Sequence, residues 1–284
     1  MRSILTFDLH VDDRPRDIEA CARQLTASGW QATFFVPTGM LERDELRRPI
    51  EALAAEGFEL GTHGHHHTDE ETDALRNGDR GALDFLKRSA GTFAEVLGKK
   101  PRVFRSPCWA HVGETALDEL ALLGYHVDSS STPQRPGILS AFPYDNRHLF
   151  AARAPHFVRP GLLEIPTSSF LVPLGWPTFC TLRRAGSLLV ANLMAMEATL
   201  RRSLVVVGQF HASDLAPCGG EVPCVEKRWS DLIPRATGGI GARRWLRVTD
   251  SGRVAAVSTA VMARMARGEL TTMSAVREEM LSGE

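Results

Sequence analysis

A chain of 284 residues with 43% hydrophobic and 24% charged residues has the make-up of an ordinary globular protein, which excludes disorder and a coiled coil. Thirty-three Lys and Arg against 34 Asp and Glu leave a formal net charge of -1, and no basic stripe interleaved with aromatics occurs, so nucleic acid is not an expected partner. The first residues lack a signal-type apolar core and no apolar run is long enough to span a bilayer, so the expected location is cytoplasmic, at most peripheral on the inner face of the membrane.

Ile4 to Phe7 is a short apolar run ending in Asp8, and alternation continues through His10 and Asp12 to Arg14-Pro15. In extended geometry Asp8, His10 and Asp12 share one face, so one strand end carries two carboxylates and an imidazole. From Asp17, the residues Ile18, Cys21, Ala22 and Leu25 keep helical spacing until Gly29 stops them. Ala32 to Val36 is a buried strand, and Asp44 to Glu56 a second helix with Leu46, Ile50 and Leu53 on one side. Phe58 and Leu60 begin another strand, which runs into His63-Gly-His-His-His67 before Thr68 and Glu71, a capping-box pair that opens a helix.

An amphipathic segment with Leu83, Leu86, Ala90, Phe93 and Leu97 inward ends at Gly98. Arg102 to Phe104 is a brief strand delivering Arg105-Ser-Pro-Cys-Trp109, Gly113 to Leu123 is a helix, and Tyr125 to Val127 is a strand ending in Asp128-Ser-Ser-Ser131. The proline-containing stretch 132–160 reads as an irregular excursion, and Leu162 to Ile165 as a further strand. Ser187 to Leu200 is an apolar helix whose Leu188, Leu189, Leu193 and Met196 are read as core in preference to a membrane anchor. Leu204 to Val207 is a central strand ending at Gln209-Phe-His211-Ala-Ser-Asp214, and Ala255 to Val257 is a candidate last strand. A second irregular insertion covers 216–243. There Cys218 and Cys224 read as idle thiols, and the five scattered cysteines do not form a disulfide framework. The whole chain is expected to be one domain, with alternating strands and helices that call for parallel βαβ units.

In a parallel sheet or barrel the carboxyl ends of all strands open on one face. Asp8, His10 and Asp12, His63 and His67, Arg105, Asp128, and His211 with Asp214 therefore converge. His63 and His67, four apart, suit a divalent metal, which with one further donor acidifies bound water and polarises a carbonyl. A neighbouring carboxylate then serves as general base and a histidine opposite as general acid, with Arg105 keeping the base ionised.

Thr6-Phe-Asp8, His63-Gly-x-x-His67, Phe104-Arg-Ser-Pro107, Leu123-Gly-Tyr-x-x-Asp128-Ser-Ser130 and Phe210-His211 resemble, in order, the motifs of the polysaccharide deacetylases, the NodB-homology group or carbohydrate esterase family four. The resemblance spans about residues 1 to 215. It implies a distorted (β/α)7 barrel, one divalent metal, usually zinc, and hydrolytic removal of an N-acyl group, most often N-acetyl, from an amino sugar. It matches Asp8 to the catalytic base, His63 and His67 to metal ligands, Arg105 to the residue steadying the base and His211 to the general acid. Pro107 and Cys108 fall at the oxyanion, where the backbone N–H after Pro107 would stabilise developing charge. The sequence departs from the pattern after Asp8, where Leu9 and His10 stand in place of a ligand aspartate. His10 is the favoured third ligand and Asp12 the runner-up. Trp109, His111 and Trp176 are candidates for sugar stacking, against ordinary packing. Asp128 either orients His211 or binds a sugar hydroxyl. His65 and His66 are expected to face solvent. The partner is an N-acylated amino-sugar substrate, on a glycan, a lipid-linked sugar or a small glycoconjugate, and peripheral membrane contact is open. The competing readings are a metal-independent cyclic-amide hydrolase on the same fold and an inactive glycan-binding barrel.

Overall fold

Alternation along β1 (Arg2–Asp8) sets the architecture. In the computed structural model, which describes residues 1–135, 147–215 and 251–283, Ile4 points into a cluster with Phe35, Val103, Val127, Leu163, Ile165, Val205 and Val207. Its neighbours Leu5 and Phe7 point the other way, into an outer layer shared with the helices. Period-two geometry therefore sends Thr6 and Asp8 to the inner side with Ile4.

The curled sheet runs β10 (Val206–Phe210), β1, β2 (Thr33–Val36), β3 (Glu59–Thr62), β4 (Val103–Phe104), β5 (Val127–Asp128), β7 (Leu162–Glu164), all parallel, with β6 (His156–Arg159) antiparallel on β7. Seven parallel strands are the distorted (β/α)7 arrangement. The gap between β7 and β10 is bridged by Ser168, which donates its N–H to the Val207 carbonyl (3.1 Å) and accepts the Val207 N–H on its hydroxyl (2.8 Å). A small hairpin of β8 (Ser169–Phe170) and β9 (Val172–Pro173) follows it.

The helices α1 (Pro15–Ser28), α2 (Asp44–Ala55), α3 (Asp69–Asn77), α4 (Arg80–Leu97), α5 (Glu114–Leu122), α6 (Trp176–Leu200) and α7 (Ser251–Met265) surround the sheet. The end of the barrel away from the strands' carboxyl ends is plugged by α8 (Met273–Ser282), whose Met273 and Val276 are wholly buried in the inner cluster. Glu59 fixes that plug by accepting the N–H groups of Met273 and Ser274, both at 2.9 Å. The short β11 (Glu269–Leu270) pairs with the start of β1 and leads the chain there.

Three expectations are corrected. Ala255 to Val257 lies inside α7, where Val254, Val257, Val261 and Met262 keep helical spacing on the buried side. The helix expected from Ser187 begins at Trp176 and is broken at Arg183, where φ is 54° and ψ is -166°. On α6 the buried residues are Val190, Ala191, Met194, Ala195 and Ala198, while Leu189 and Met196 stand 59% and 57% exposed. The alanines win the inner face because small side chains let α7 pack close against α6. The 216–243 insertion with Cys218 and Cys224, and 136–146 of the earlier excursion, lie outside the described residues.

Since α8 is the only element plugging that end among the described residues, Met273→Ala is expected to cost about 2–5 kcal/mol, the range for emptying a core methionine site, in urea unfolding monitored by circular dichroism.

Candidate active site

At the open end, the inward side chains of β1 meet a buried guanidinium. Arg105, fully buried just after β4, donates from Nη1 to Thr6 Oγ1 (2.8 Å) and Asp8 Oδ1 (2.7 Å), from Nη2 to Ser129 Oγ (2.9 Å) and from Nε to the Ser129 carbonyl (3.1 Å). Its guanidinium carbon lies 4.1 Å from the centre of the Phe35 ring, so one face is stacked while the edge is hydrogen-bonded. Burial acts to raise the Asp8 pKa, but Arg105 and the adjacent His63 and His211 outweigh it and hold the carboxyl at about 2.

Four imidazoles ring this carboxylate. His63 follows β3, and its Nδ1 lies 2.9 Å from the Arg105 carbonyl, a contact that fixes the N–H on Nδ1 and leaves the Nε2 lone pair for a ligand. The His67 ring centre lies 4.9 Å from that of His63 and 5.1 Å from that of His10, and His10 is 4.7 Å from His211. Burial pushes His63 down to about 3 and lowers His10 and His67 as well, so all three are neutral donors near neutral pH. Three imidazoles sharing one tetrahedral zinc through bonds of about 2 Å hold their ring centres about 5 Å apart. The His63–His67 and His67–His10 separations match that figure, and all three side chains are of a type that ligates a divalent ion. Among the described residues no three His, Cys, Asp or Glu side chains are arranged around one ion position as they stand.

The histidine loop is held by one carboxylate. The Thr68 hydroxyl caps α3 by accepting the Glu71 N–H (3.2 Å), but Glu71 does not return to Thr68; it accepts the N–H groups of His65 (2.5 Å), His66 (3.0 Å) and His67 (2.9 Å). Gly64, at φ 74°, permits this, since a Cβ there would stand 2.7 Å from Glu71 Oε1. The same turn carries His65 inward, contrary to expectation: it is fully buried, with Nδ1 2.8 Å from Thr38 Oγ1. His66 stays exposed.

Asp12 does not join the group. β1 ends at Asp8, the Asp13 N–H bonds the His10 carbonyl (2.9 Å), and this tight turn leaves Asp12 exposed while Asp13 accepts the His10 N–H (2.8 Å). The extended face that was to carry Asp8, His10 and Asp12 together breaks after Asp8. Of the two candidates, His10 is the one at the cluster.

His211, after β10, is supported by Asp214, which accepts its N–H (3.0 Å) and lies 3.3 Å from Nδ1. Burial opposes charging His211, but Asp214, with Asp8 and Asp13 behind it, raises its pKa. Gln209, which the sequence reading passed over, links base and imidazole. Its Nε2 donates to Asp8 Oδ2 (3.1 Å) and lies 2.9 Å from His211 Nε2, while its Oε1 accepts the Trp176 N–H (3.4 Å). A carboxylate only accepts, so the amide nitrogen faces Asp8 and donates to a neutral His211 as well. A proton on His211 Nε2 requires this amide to let go. A polar side chain alternating with His211 on the same strand was the only signal for it in the sequence.

Around the rim, Cys108 and Trp109 hold φ of 55° and 51° in the turn Pro107–Trp109, and the Ser106 N–H is pinned to Ser130 Oγ (2.9 Å). Trp109 is 8% exposed, packed beneath Arg135 and not presented as a stacking platform, whereas Trp176 is half-buried with its ring centre 6.1 Å from that of His211. Asp128 does not turn to His211. It accepts Ser130 Oγ and the Ser130 N–H (3.1 Å), and faces Glu164, which accepts the Ser131 N–H (3.1 Å). Burial raises both carboxyls, Asp128 to about 6 and Glu164 well above its usual range, so the pair shares a proton.

With this geometry in view, residues 2–127 match the family described as Polysaccharide deacetylase. Over these residues the chain is similar to that family. Solved structures agree in fold over nearly the whole chain. A Mycobacterium smegmatis protein named for the polysaccharide deacetylases superposes with a TM-score of 0.60 at 17% identity, over 99% of this chain and 90% of that one. The chitin deacetylase of Colletotrichum lindemuthianum gives 0.50 at 14%, over 95% and 84%, and a Bacillus subtilis peptidoglycan deacetylase gives 0.51 at 11%, over 99% and 92%. At such identities the likeness is one of fold. No curated protein matches the chain.

The Asp128–Glu164 pair makes stability pH-dependent. Both folded pKa values lie above the unfolded ones, so the pair's contribution is complete at low pH and is lost as pH rises from about 4 through about 6. Glu164→Gln, which still accepts the Ser131 N–H and cannot ionise, should melt like the parent near about pH 5 and at a higher temperature near about pH 8. A melting-temperature difference between the two proteins that does not change with pH would contradict the shared proton.

Proposed function

We propose that this protein is a metal-dependent hydrolase that removes an N-acyl group, N-acetyl first among them, from an amino sugar. The observation that carries the reading is the buried Asp8 carboxylate, held ionised by Arg105 and gathered with three neutral imidazoles and with His211, whose ring lies 4.7 Å from that of His10.

A divalent ion of the zinc type, held by His10, His63 and His67 after small rotations of their rings, would supply Lewis acidity for the acyl carbonyl and lower the pKa of water. Asp8 is placed to take the proton of the attacking water, and a pKa near 2 means that it is always in the basic form at working pH. Arg105 is held beside it by three further bonds, to Thr6 and Ser129. The peptide N–H of Cys108, in the turn held by Ser130, is assigned to the developing oxyanion. His211, once protonated at Nε2, gives that proton to the departing amine, and Asp214 stabilises the imidazolium. Gln209 exchanges its bond to His211 as that proton arrives and leaves. The half-buried Trp176 at the rim suits the apolar face of a sugar ring.

Two variants separate ion binding from proton transfer. Asp8→Asn is expected to retain bound metal and lose about 10²–10⁴-fold in turnover, the scale of a lost general base, while His63→Ala loses the metal itself. These are read by elemental analysis of the purified proteins and by acetate or formate release from acylated amino sugars. His10→Ala should reduce metal content where Asp12→Ala does not. Full turnover by metal-stripped protein would overturn the metal-dependent reading and leave the metal-independent one.

A further inference from the structure

The solvent side of α6 is apolar. Leu182, Leu189, Met196 and Leu200 are 39%, 59%, 57% and 77% exposed, and from residue 185 on they fall with Ala185 and the half-buried Leu193 on one stripe opposite the buried Val190, Ala191, Met194 and Ala198. A surface helix normally shows charge there, and one that is apolar all round is normally covered. Among the described residues nothing covers this stripe. Sequence reasoning had placed Leu189 and Met196 in the core, so the exposure is a property of the fold and not of composition.

Charge identifies what fits. Between Leu182 and Arg202 the charged residues are Arg183, Arg184, Glu197, Arg201 and Arg202, a local excess of positive charge in a chain whose formal net charge is -1. All four arginines are exposed. The single acid, Glu197, is gripped by both terminal nitrogens of Arg153 at 2.6 Å and reaches Arg201 only at 3.9 Å, so it offsets at most one of the four. Arg153 also donates to the Ser169 carbonyl (2.8 Å), and so fastens to α6 the β8-β9 hairpin, whose tip, Leu171, is 72% exposed. A second copy of the chain fits poorly. Antiparallel self-pairing centred near Asn192 sets Arg183 and Arg184 of one copy against Arg201 and Arg202 of the other, and parallel pairing sets each pair against itself. An apolar stripe with cationic ends has its complement in an anionic lipid surface, where leucines enter the acyl boundary and arginines meet phosphate. No described helix is long and apolar enough to cross a membrane, so the contact is one of lying on the surface.

We infer that α6 is a docking face for anionic membranes. The first turn of the element, across the break at Arg183, bonds Gln209 beside His211 through the Trp176 N–H, which ties this face to the candidate active site through one chain segment.

The test is cosedimentation of the full chain with phosphatidylcholine vesicles containing about one third phosphatidylglycerol, against pure phosphatidylcholine. The parent should bind the anionic vesicles and release in high salt. Leu189→Glu with Met196→Glu should reduce that binding by about tenfold or more, and Arg201→Glu with Arg202→Glu by several-fold, with melting temperature unchanged. The arginine variant, remote from the core, keeps the test open if the first pair fails to fold. Equal binding to both vesicle types, or binding indifferent to both variants, overturns the proposal. A dimer that the leucine and methionine changes dissociate in ultracentrifugation, with no vesicle binding by the parent, assigns the stripe to a second copy. A drop in melting temperature with no vesicle binding assigns it to this chain's own cover.

Discussion

The contact on which the site depends is the ion pair between Asp8 and Arg105, both almost wholly out of water. Two buried charges gain little net stability from each other, because desolvation consumes most of the attraction, and what they gain is geometry: losing either partner strands the other at a cost of about 3–5 kcal/mol. Three further N–H bonds of Arg105 go to Thr6 and Ser129, and its face to Phe35, so β1, β2, the end of β4 and the loop after β5 are registered against one guanidinium. The carboxylate left at the centre can neither protonate near neutral pH nor rotate away. A carboxylate built in this way is fixed before anything binds beside it.

Around it, one further carboxylate and one carboxyl pair do for backbone what Arg105 does for Asp8. Glu71 gathers three successive N–H groups of the histidine loop and so fixes the directions in which His63 and His67 leave the barrel rim. Asp128 and Glu164, sharing a proton behind the lumen, hold Ser130 and Ser131, and through Ser130 the turn that carries Cys108. Neither touches the cluster of rings. Their effect is on where the rings and the turn can sit, which ties the barrel's outer packing to its chemistry.

The sequence exposed more of the fold than of the site. The seven parallel strands of the barrel, the helices up to Leu122 and the convergence of Asp8, His63, His67, Arg105 and His211 were legible because alternation, helical spacing and glycine stops are local, and because parallel strands open on one face, whereas the short strands at 156–159, 169–170, 172–173 and 269–270 were not. The reading failed where local pattern was ambiguous. Val254 to Val257 suits strand or helix equally until α6 is there to pack against, and the leucines of α6 suit a core until the alanines beside them take it.

What the amino-acid order determined by itself was the inventory and its spacing: a carboxylate at a strand end, imidazoles four apart, an arginine after a short strand, a histidine after the strongest β-branched run. Tertiary structure decided which of these meet. It excluded Asp12 through a turn at His10 to Asp13, buried His65 through Gly64, brought Gln209 between base and imidazole, and moved Asp128 away from His211 to Glu164. Each of those outcomes rests on a contact between segments far apart in the chain or on a backbone reversal of a single residue. No periodicity encodes either one, because both are settled only when burial forces every polar group to find a partner.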